Sequence, residues 1–227
     1  MVIPKPSKPD YSKVRAYGII SLLDIIRKLL EWTVAHLIAD HLEHKRGLHE
    51  GQFGCQKRRS CVDVVAIMMN HTQQAWEQKK IAGALFMDVK SAFNNVDKTF
   101  LGKRMEELGL EADLIQWTMS FMSDRRVELV LDGETGDENP VDTGVLQGSP
   151  AAPILFVTYL SRIFNEVERT ATDISGLSFV DDIGCWVEGK NAEEVAGKFP
   201  LAAGVAIEWA GKDGVAFDHG KMEAAIF

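Results

Sequence analysis

The order of apolar and polar residues along the chain predicts alternating helices and strands. From Ser21 to Leu42 apolar residues recur every three or four positions, which predicts an amphipathic helix. The same spacing predicts five further helices, over 60–78, 98–108, 112–123, 152–167 and 191–209. Ser60 and Asp97 stand where helix-capping side chains are expected, immediately before two of these segments.

Two apolar runs predict strands that end in carboxylates. Residues 81–88 are almost continuously apolar up to Asp88, which is typical of a strand buried on both faces. Residues 177–187 predict a tight hairpin with Asp181 and Asp182 at its tip. Two further strand pairs are predicted, 125–131 with 139–143 and 215–217 with 224–227.

These aspartates are the strongest candidates for chemistry. Adjacent Asp181 and Asp182 are compatible with an ordinary solvated turn, because Asp is a common turn residue. Asp88 changes the balance, since a carboxylate that ends a buried strand is costly to desolvate unless it is a ligand or is paired. One strand-end carboxylate and two at a neighbouring tip can hold two Mg²⁺ ions about 3.5–4 Å apart, as phosphoryl transfer requires.

Two loops add candidate contacts to ligands. Residues 52–60 carry Lys57, Arg58 and Arg59, and the pattern fits a cationic surface loop as well as it fits a phosphate-binding loop. Residues 144–150 combine two glycines with a Ser-Pro helix start, which lets a backbone approach a ligand closely. An ordinary capped helix would give the same pattern.

Composition narrows the class of protein. The chain has 227 residues, of which 46% are hydrophobic and 26% charged, typical of one large or two small globular domains. Its net charge of −8 is unfavourable for phosphate contacts, although residues 1–60 are locally basic. No apolar run approaches about 18 residues, so no membrane span is predicted. Cys55, Cys61 and Cys185 lack zinc-like spacing, which predicts reduced thiols inside the cell.

Six segments of the chain, in this order, resemble the motifs of one enzyme family. They are 3–23, 52–60, 86–93, 147–150, 179–182 and 221–223. Together they resemble the reverse transcriptase domain of non-LTR (LINE-type) retrotransposons, particularly the fungal kind, over residues 3–227. The resemblance implies an RNA-directed DNA polymerase, which is a nucleotidyltransferase. It also implies an α/β (α+β) right-hand fold whose palm is a mostly antiparallel sheet backed by helices, with helical fingers.

The resemblance gives the aspartates their roles. Asp88, Asp181 and Asp182 would be catalytic residues that hold two Mg²⁺ ions, which Mn²⁺ can replace. One ion would lower the pKa of the primer 3′-hydroxyl, and the other would stabilise the leaving pyrophosphate. Lys221 would complete the catalytic set as a proton donor to the pyrophosphate.

The same resemblance implies the substrate-binding residues. Phe93 would lie under the sugar of the incoming nucleotide and exclude a 2′-hydroxyl. Gln147 and Gly148 would contact the incoming nucleotide and the template-primer. Arg59 and Lys57 would reach the triphosphate.

The implied organisation is a polymerase without its thumb. Residues 1–80 would be a fingers-like segment and 81–227 a palm, with helices derived from the fingers between 97 and 143. The thumb and endonuclease regions would belong to the remainder of a parent polyprotein. The expected partners are an RNA template, a DNA primer and dNTPs, with no membrane, and the family implies a nuclear location.

Three other interpretations compete with this one. Asn94, Leu146 and Met222 replace residues usual in the family, so the chain could be an inactive remnant that only binds nucleic acid. An unrelated Mg²⁺-dependent phosphotransferase or nuclease could use the same aspartates, although it would not need Phe93 or the 147–150 segment. A protein-interaction module without chemistry leaves Asp88 unexplained.

Overall fold

The computed structural model of the chain describes residues 1–13, 16–170 and 174–227. Its strands are Val2–Pro4 (β1), Tyr17–Ile19 (β2), Ile81–Asp88 (β3), Arg125–Leu131 (β4), Glu134–Val141 (β5), Ile174–Phe179 (β6), Asp182–Gly189 (β7) and Glu223–Ile226 (β8). The central sheet has the order β6, β7, β3, β8, and every pairing in it is antiparallel. Two separate two-stranded sheets are formed by β1 with β2 and by β4 with β5.

Helices pack on both faces of the central sheet. They are Ile25–Lys45 (α1), Cys61–Glu77 (α2), Lys98–Glu107 (α3), Ala112–Phe121 (α4), Ala152–Tyr159 (α5), Ile163–Thr170 (α6) and Ala192–Lys212 (α7). Gly83 of β3 faces α7, where a Cβ would lie 2.5 Å from Cγ1 of Val195. The alternate residues Ala82 and Ala84 pack with Ala75 of α2 on the opposite face. Small side chains on both faces of β3 therefore let a helix approach from each side.

The predicted helices are present, with two main differences. The helix predicted from Ser21 begins at Ile25, because the backbone is still extended at Asp24, and the N–H of Ser21 donates to the carbonyl of Gln147. The helix predicted over 152–167 is two helices, with a break after Tyr159. At this break Ser161 and Ile163 donate to carbonyls three residues back, which tightens the backbone. Apolar spacing continues through the break and does not reveal it.

The strand predictions hold for the hairpins and fail for the last pair. β4 and β5 form the predicted hairpin, although β5 begins at Glu134 because the turn is only Asp132 and Gly133. Both turn residues have positive φ, as a two-residue hairpin turn of type I′ requires. The predicted pairing of 215–217 with 224–227 is wrong. β8 pairs with β3, and Phe217 forms a bridge with Val89, the residue after β3. Both segments therefore pair with β3 or its continuation and not with each other.

The amphipathic pattern of α1 produces burial over only part of the helix. Val34, Ile38 and Leu42 lie in the main hydrophobic core, whereas Ile25 and Ile26 are 78% and 83% exposed. That core also contains residues of β3, α5 and α7, so the N-terminal segment and the central sheet share one apolar interior. All three cysteines are free, and no described helix has the length and apolar character of a membrane span.

Gly176 of β6 provides a test of the packing beneath the hairpin. We expect Gly176→Ala to lower the free energy of unfolding by about 1–3 kcal/mol, because the new methyl group would overlap the buried ring of Phe164. Gly197→Ala is the control. It lies within α7 with nothing near its added Cβ, so it should raise stability by about 0.5–1 kcal/mol. Urea-induced unfolding measures both, and equal midpoints for Gly176→Ala and wild type would contradict this packing.

Candidate functional site

The hairpin of β6 and β7 positions two of the predicted aspartates. Phe179 pairs with Asp182, so the two turn residues are Val180 and Asp181, and Asp182 is the first residue of β7. The sequence interpretation placed both aspartates at the tip, whereas the structure leaves only Asp181 there. Val180 has φ +60°, which is costly for a β-branched residue. Strain of this kind is commonly stored at functional sites.

A loop from the N-terminal segment supports this strained turn. The N–H of Phe53 donates to the carbonyl of Ser178 at 2.9 Å, and the N–H of Ser178 donates to the carbonyl of Gly51 at 2.8 Å. These bonds attach the loop to the outer edge of β6. A Cβ on Gly54 would lie 2.6 Å from Cγ2 of Val180. The absence of a side chain at Gly54 therefore lets the loop backbone lie against the turn.

The third aspartate joins the site through strand register. Asp88, the last residue of β3, pairs directly with Asp182 across the β3–β7 ladder. Partial burial raises the pKa of Asp181, and the charges of Asp182 and Asp88 raise it further. The three carboxylates are thus close enough to repel one another, as expected of a site for a cationic ligand.

Lys221 neutralises part of this negative charge. Its Nζ lies 2.6 Å from Oδ2 of Asp88, and this hydrogen bond raises the pKa of the ammonium group. A 3₁₀ turn over His219–Lys221 presents the lysine, and the N–H of Asp218 donates to the carbonyl of Asp88 at 2.9 Å. The structure therefore brings Lys221 to Asp88, and its catalytic role stays a prediction.

Phe93 and the loop carrying Gln147 are tied together by backbone bonds. The N–H of Val145 donates to the carbonyl of Phe93 at 2.7 Å. The ring of Phe93 packs against Phe156 of α5, with ring centroids 5.2 Å apart. Gln147 and Gly148 are exposed. Gly148 has φ +104°, and a Cβ added to it would lie 2.9 Å from the carbonyl oxygen of Ser21. The loop of Gln147 is thus bonded to the 3₁₀ turn over Ala92–Asn95, which follows β3 in the chain.

A buried carboxylate on α1, which the sequence interpretation missed, anchors the same loop. Glu31 is only 1% exposed and accepts a hydrogen bond from Oγ of Ser149 at 2.6 Å. Nε of Arg27 donates to its other oxygen at 2.9 Å. The sequence did contain a signal, since Glu31 lies three and seven residues before Val34 and Ile38 on the buried stripe of α1.

Arg59 and Lys57 bind groups of the protein itself. Nη1 of Arg59 donates to the carbonyls of Glu50 at 2.6 Å and Gln52 at 3.0 Å, and its guanidinium lies over the ring of Phe53. Nζ of Lys57 lies 2.6 Å from Asp40 of α1. In the described part of the chain, neither cation forms an ion pair with the three aspartates.

Comparison with known proteins identifies the family. A sequence profile described as reverse transcriptase (RNA-dependent DNA polymerase) matches residues 3–225. The chain belongs to the reverse transcriptase family. It is 30% identical over 163 residues to a "Probable RNA-directed DNA polymerase from transposon BS" of Drosophila melanogaster, covering 72% of this chain and 18% of that protein. It is 27% identical over 237 residues to the RNA-directed DNA polymerase from mobile element jockey of Drosophila funebris, covering 100% of this chain and 25% of that protein.

Solved structures show the same fold. Apo telomerase from Candida tropicalis, truncated from its C-terminal domain, superimposes with a TM-score of 0.62 at 15% identity. The match covers 88% of this chain and 41% of that one. Telomerase from the same organism, in complex with a fragment of telomeric RNA, gives 0.63 at 12% identity over 89% of this chain and 33% of that one. The predicted right-hand polymerase fold and the resemblance to non-LTR reverse transcriptases are confirmed, and the chain spans a quarter or less of the two curated relatives.

The donor set of this reverse transcriptase domain suits a hard divalent cation. Carboxylate oxygens are the ligands that Mg²⁺ prefers, and the mutual repulsion of Asp88, Asp181 and Asp182 favours binding of positive charge. Across the described ranges, however, no three acidic, histidine or cysteine side chains already converge into a metal-binding group. Lys221, which holds Asp88, supplies a positive charge at that carboxylate.

The raised pKa of Asp181 predicts a pH-dependent cost in stability. Because the folded chain binds this proton more tightly than the unfolded chain does, the contribution of Asp181 to the free energy of unfolding falls as pH rises above 3.8. We expect Asp181→Asn, without added metal, to melt at a higher temperature than wild type at neutral pH. The difference should shrink as pH falls and disappear well below pH 3.8, where Asp181 is protonated in both the folded and the unfolded chain.

Glu106→Gln is the control for this measurement, because it removes one negative charge from an exposed position of α3. It should leave the melting temperature close to that of wild type. A lower melting temperature for Asp181→Asn at neutral pH would show that the Asp181 carboxylate stabilises the fold.

Proposed function

We propose that this chain carries the active site of a retrotransposon reverse transcriptase. It extends a DNA primer with deoxynucleotides and uses RNA as the template. The observation that carries the proposal is the register of β3 with β7, which sets Asp88 opposite Asp182 beside the turn residue Asp181. Two comparisons support the proposal. The curated relatives are named RNA-directed DNA polymerases, and one structural neighbour was solved with a fragment of telomeric RNA.

The three aspartates would hold two Mg²⁺ ions, or Mn²⁺ in their place. When bound, the ions would lower the pKa of the primer 3′-hydroxyl and neutralise the pyrophosphate. Asp88 and Asp182 present their carboxylates from paired strand positions, so the sheet itself would set the separation of the ligands. Bound ions would offset the repulsion that Asp182 and Asp88 exert on Asp181, which now raises its pKa.

The remaining predicted residues would bind the nucleotide and the strands. Phe93 would contact the sugar from a position held by the ring of Phe156, and Gln147 and Gly148 would contact the base pair being formed. Lys57 and Arg59 would have to leave their present protein partners to reach a triphosphate.

Lys221 would have a role in two stages of the reaction. Before the ions bind, it pairs with Asp88. After they bind, the released ammonium group would face the leaving pyrophosphate and donate a proton to it.

We assign residues 1–80 to the fingers and 81–227 to the palm, with helices derived from the fingers between 97 and 143. The thumb and endonuclease regions would come from the rest of a longer polyprotein, since the curated relatives are at least four times as long as the matched part. From the family, we also expect a nuclear location.

Primer extension tests the function. With an RNA template, a DNA primer, dNTPs and Mg²⁺, the wild-type chain should add at least one nucleotide. Asp181→Asn should add none, because it loses a ligand charge, and Glu106→Gln should act as wild type does. If Asp181→Asn extends the primer normally, the three-aspartate site is wrong. If wild type is inert but binds primer-template in low salt, the chain is a nucleic-acid-binding remnant.

Lys221→Met tests the competition between lysine and metal. Removing the cation from Asp88 should let Mg²⁺ raise the melting temperature at a lower concentration than in wild type. The shift should be about fivefold at most, since an exposed ion pair is worth about 0.2–1 kcal/mol. Lys212→Met is the control, because it removes an equally exposed lysine paired with Glu208 on α7. An unchanged or weaker response to Mg²⁺ in Lys221→Met would contradict the competition.

A further inference from the structure

A cleft of about 580 Å³ lies between the β4–β5 hairpin, the segment around Ile20 and the loop that ends in Gln147. Pockets of this size are typical of sites for small ligands or for one unit of a polymer. Asn94 and Gln147 lie at its wall, so the cleft adjoins the backbone that carries Phe93. None of the three aspartates lines it.

Arg125 lies at this cleft with its charge unpaired. The side chain is 7% exposed, and Nη2 donates to the carbonyl of Thr143 at 2.9 Å. Within the described residues, Nε and Nη1 have no hydrogen-bond partner, and the guanidinium forms no ion pair. A buried guanidinium with unused donors is costly unless an anion satisfies it.

Two further arginines, Arg27 and Arg126, line the cleft, and each is already paired with a carboxylate. Arg27 holds Glu31 through Nε. Burial lowers the pKa of Arg125, the charge of Arg27 lowers it further, and Asp142 opposes the shift. Two carboxylates line the cleft, Glu128 and Glu138, and Glu138 is paired with Arg126 at 2.9 Å. The chain therefore supplies Arg125 with a nearby like charge and no direct counter-ion.

The rest of the wall is apolar. Ile20, Val127, Leu129 and Val145 line the cleft, and Leu129 is 44% exposed at its edge. Guanidinium groups bind phosphate oxygens through a planar fork of donors, and apolar surfaces accept the faces of nucleobases. The combination fits a nucleotide unit better than it fits a small inorganic anion.

We propose that Arg125, with Arg27 beside it, binds a backbone phosphate of single-stranded nucleic acid, and that the adjoining base lies against the apolar wall of this cleft. The inference deepens the proposed function, because the bound strand would be the template on its way to Gln147. Binding of the strand would supply the anion that the fold does not provide to Arg125.

Salt-dependent RNA binding tests this proposal without requiring catalysis. Fluorescence anisotropy with a labelled, short single-stranded RNA should give weaker binding for Arg125→Gln than for wild type. The slope of log affinity against log salt concentration should fall by about 0.7, the value for one lost phosphate contact on a single strand. Arg169→Gln is the control, since it removes an exposed arginine of α6 that does not line the cleft. Equal slopes for Arg125→Gln and wild type would overturn the proposal.

A second pair of variants leaves Arg125 in place in case its replacement impairs folding. Leu129→Glu adds a carboxylate at the cleft, whereas Leu131→Glu adds one at a similarly exposed position of β4 outside it. Only Leu129→Glu should weaken RNA binding, and equal effects would overturn the proposal. A third outcome is that inorganic phosphate stabilises wild type while neither Arg125→Gln nor Leu129→Glu alters RNA binding. In that case the cleft binds a free anion and the proposal is wrong.

The two proposals can fail separately. RNA binding that depends on Arg125 in a chain unable to extend a primer would leave the cleft assignment standing and refute the polymerase proposal. If the chain extends a primer but Arg125→Gln leaves the salt dependence of RNA binding unchanged, the polymerase proposal stands and the cleft assignment is refuted.

Discussion

The antiparallel pairing of β3 with β7 is the constraint on which the rest of the structure depends. It buries an apolar strand between two helices and, by its register, sets Asp88 opposite Asp182. A shift of one residue would turn every β3 side chain to the other face and would separate the two carboxylates. Gly83 and the alanines beside it make this arrangement possible, because larger side chains would push α7 or α2 away. Core packing and site geometry therefore have the same physical origin.

The site is assembled against electrostatic repulsion and backbone strain. Asp181 has a raised pKa, and Val180 adopts a conformation unfavourable to its branched side chain. The surrounding structure compensates for both. Lys221 neutralises Asp88, and the loop at Gly54 lies against the turn while bonding to the edge of β6. A fold that brings carboxylates near one another before any cation binds gives up stability at that place.

Contacts between α1 and the loop before α5 link the N-terminal segment to the central sheet. The buried Glu31 binds both Ser149 and Arg27, so its hydrogen bonds join the loop to α1. Arg27 in turn lies beside the cleft of Arg125. A strand in that cleft would thus contact a cation that is already fixed to the loop of Gln147. The arrangement joins the proposed phosphate contact to the proposed nucleotide site through two side chains.

Local sequence determined most of the elements, because apolar spacing and capping residues act over a few positions. The helices, the hairpins and the strand ending in Asp88 were predictable in this way, and the order of short motifs indicated the family that the comparison confirmed. Tertiary structure decided how distant segments meet. Spacing could not show that β8 pairs with β3, that the helix over 152–167 breaks, or that Arg59 and Lys57 bind the protein itself. Nor could it show that Glu31 is paired while Arg125 is not, because burial and partnership depend on surfaces contributed by residues far apart in the chain.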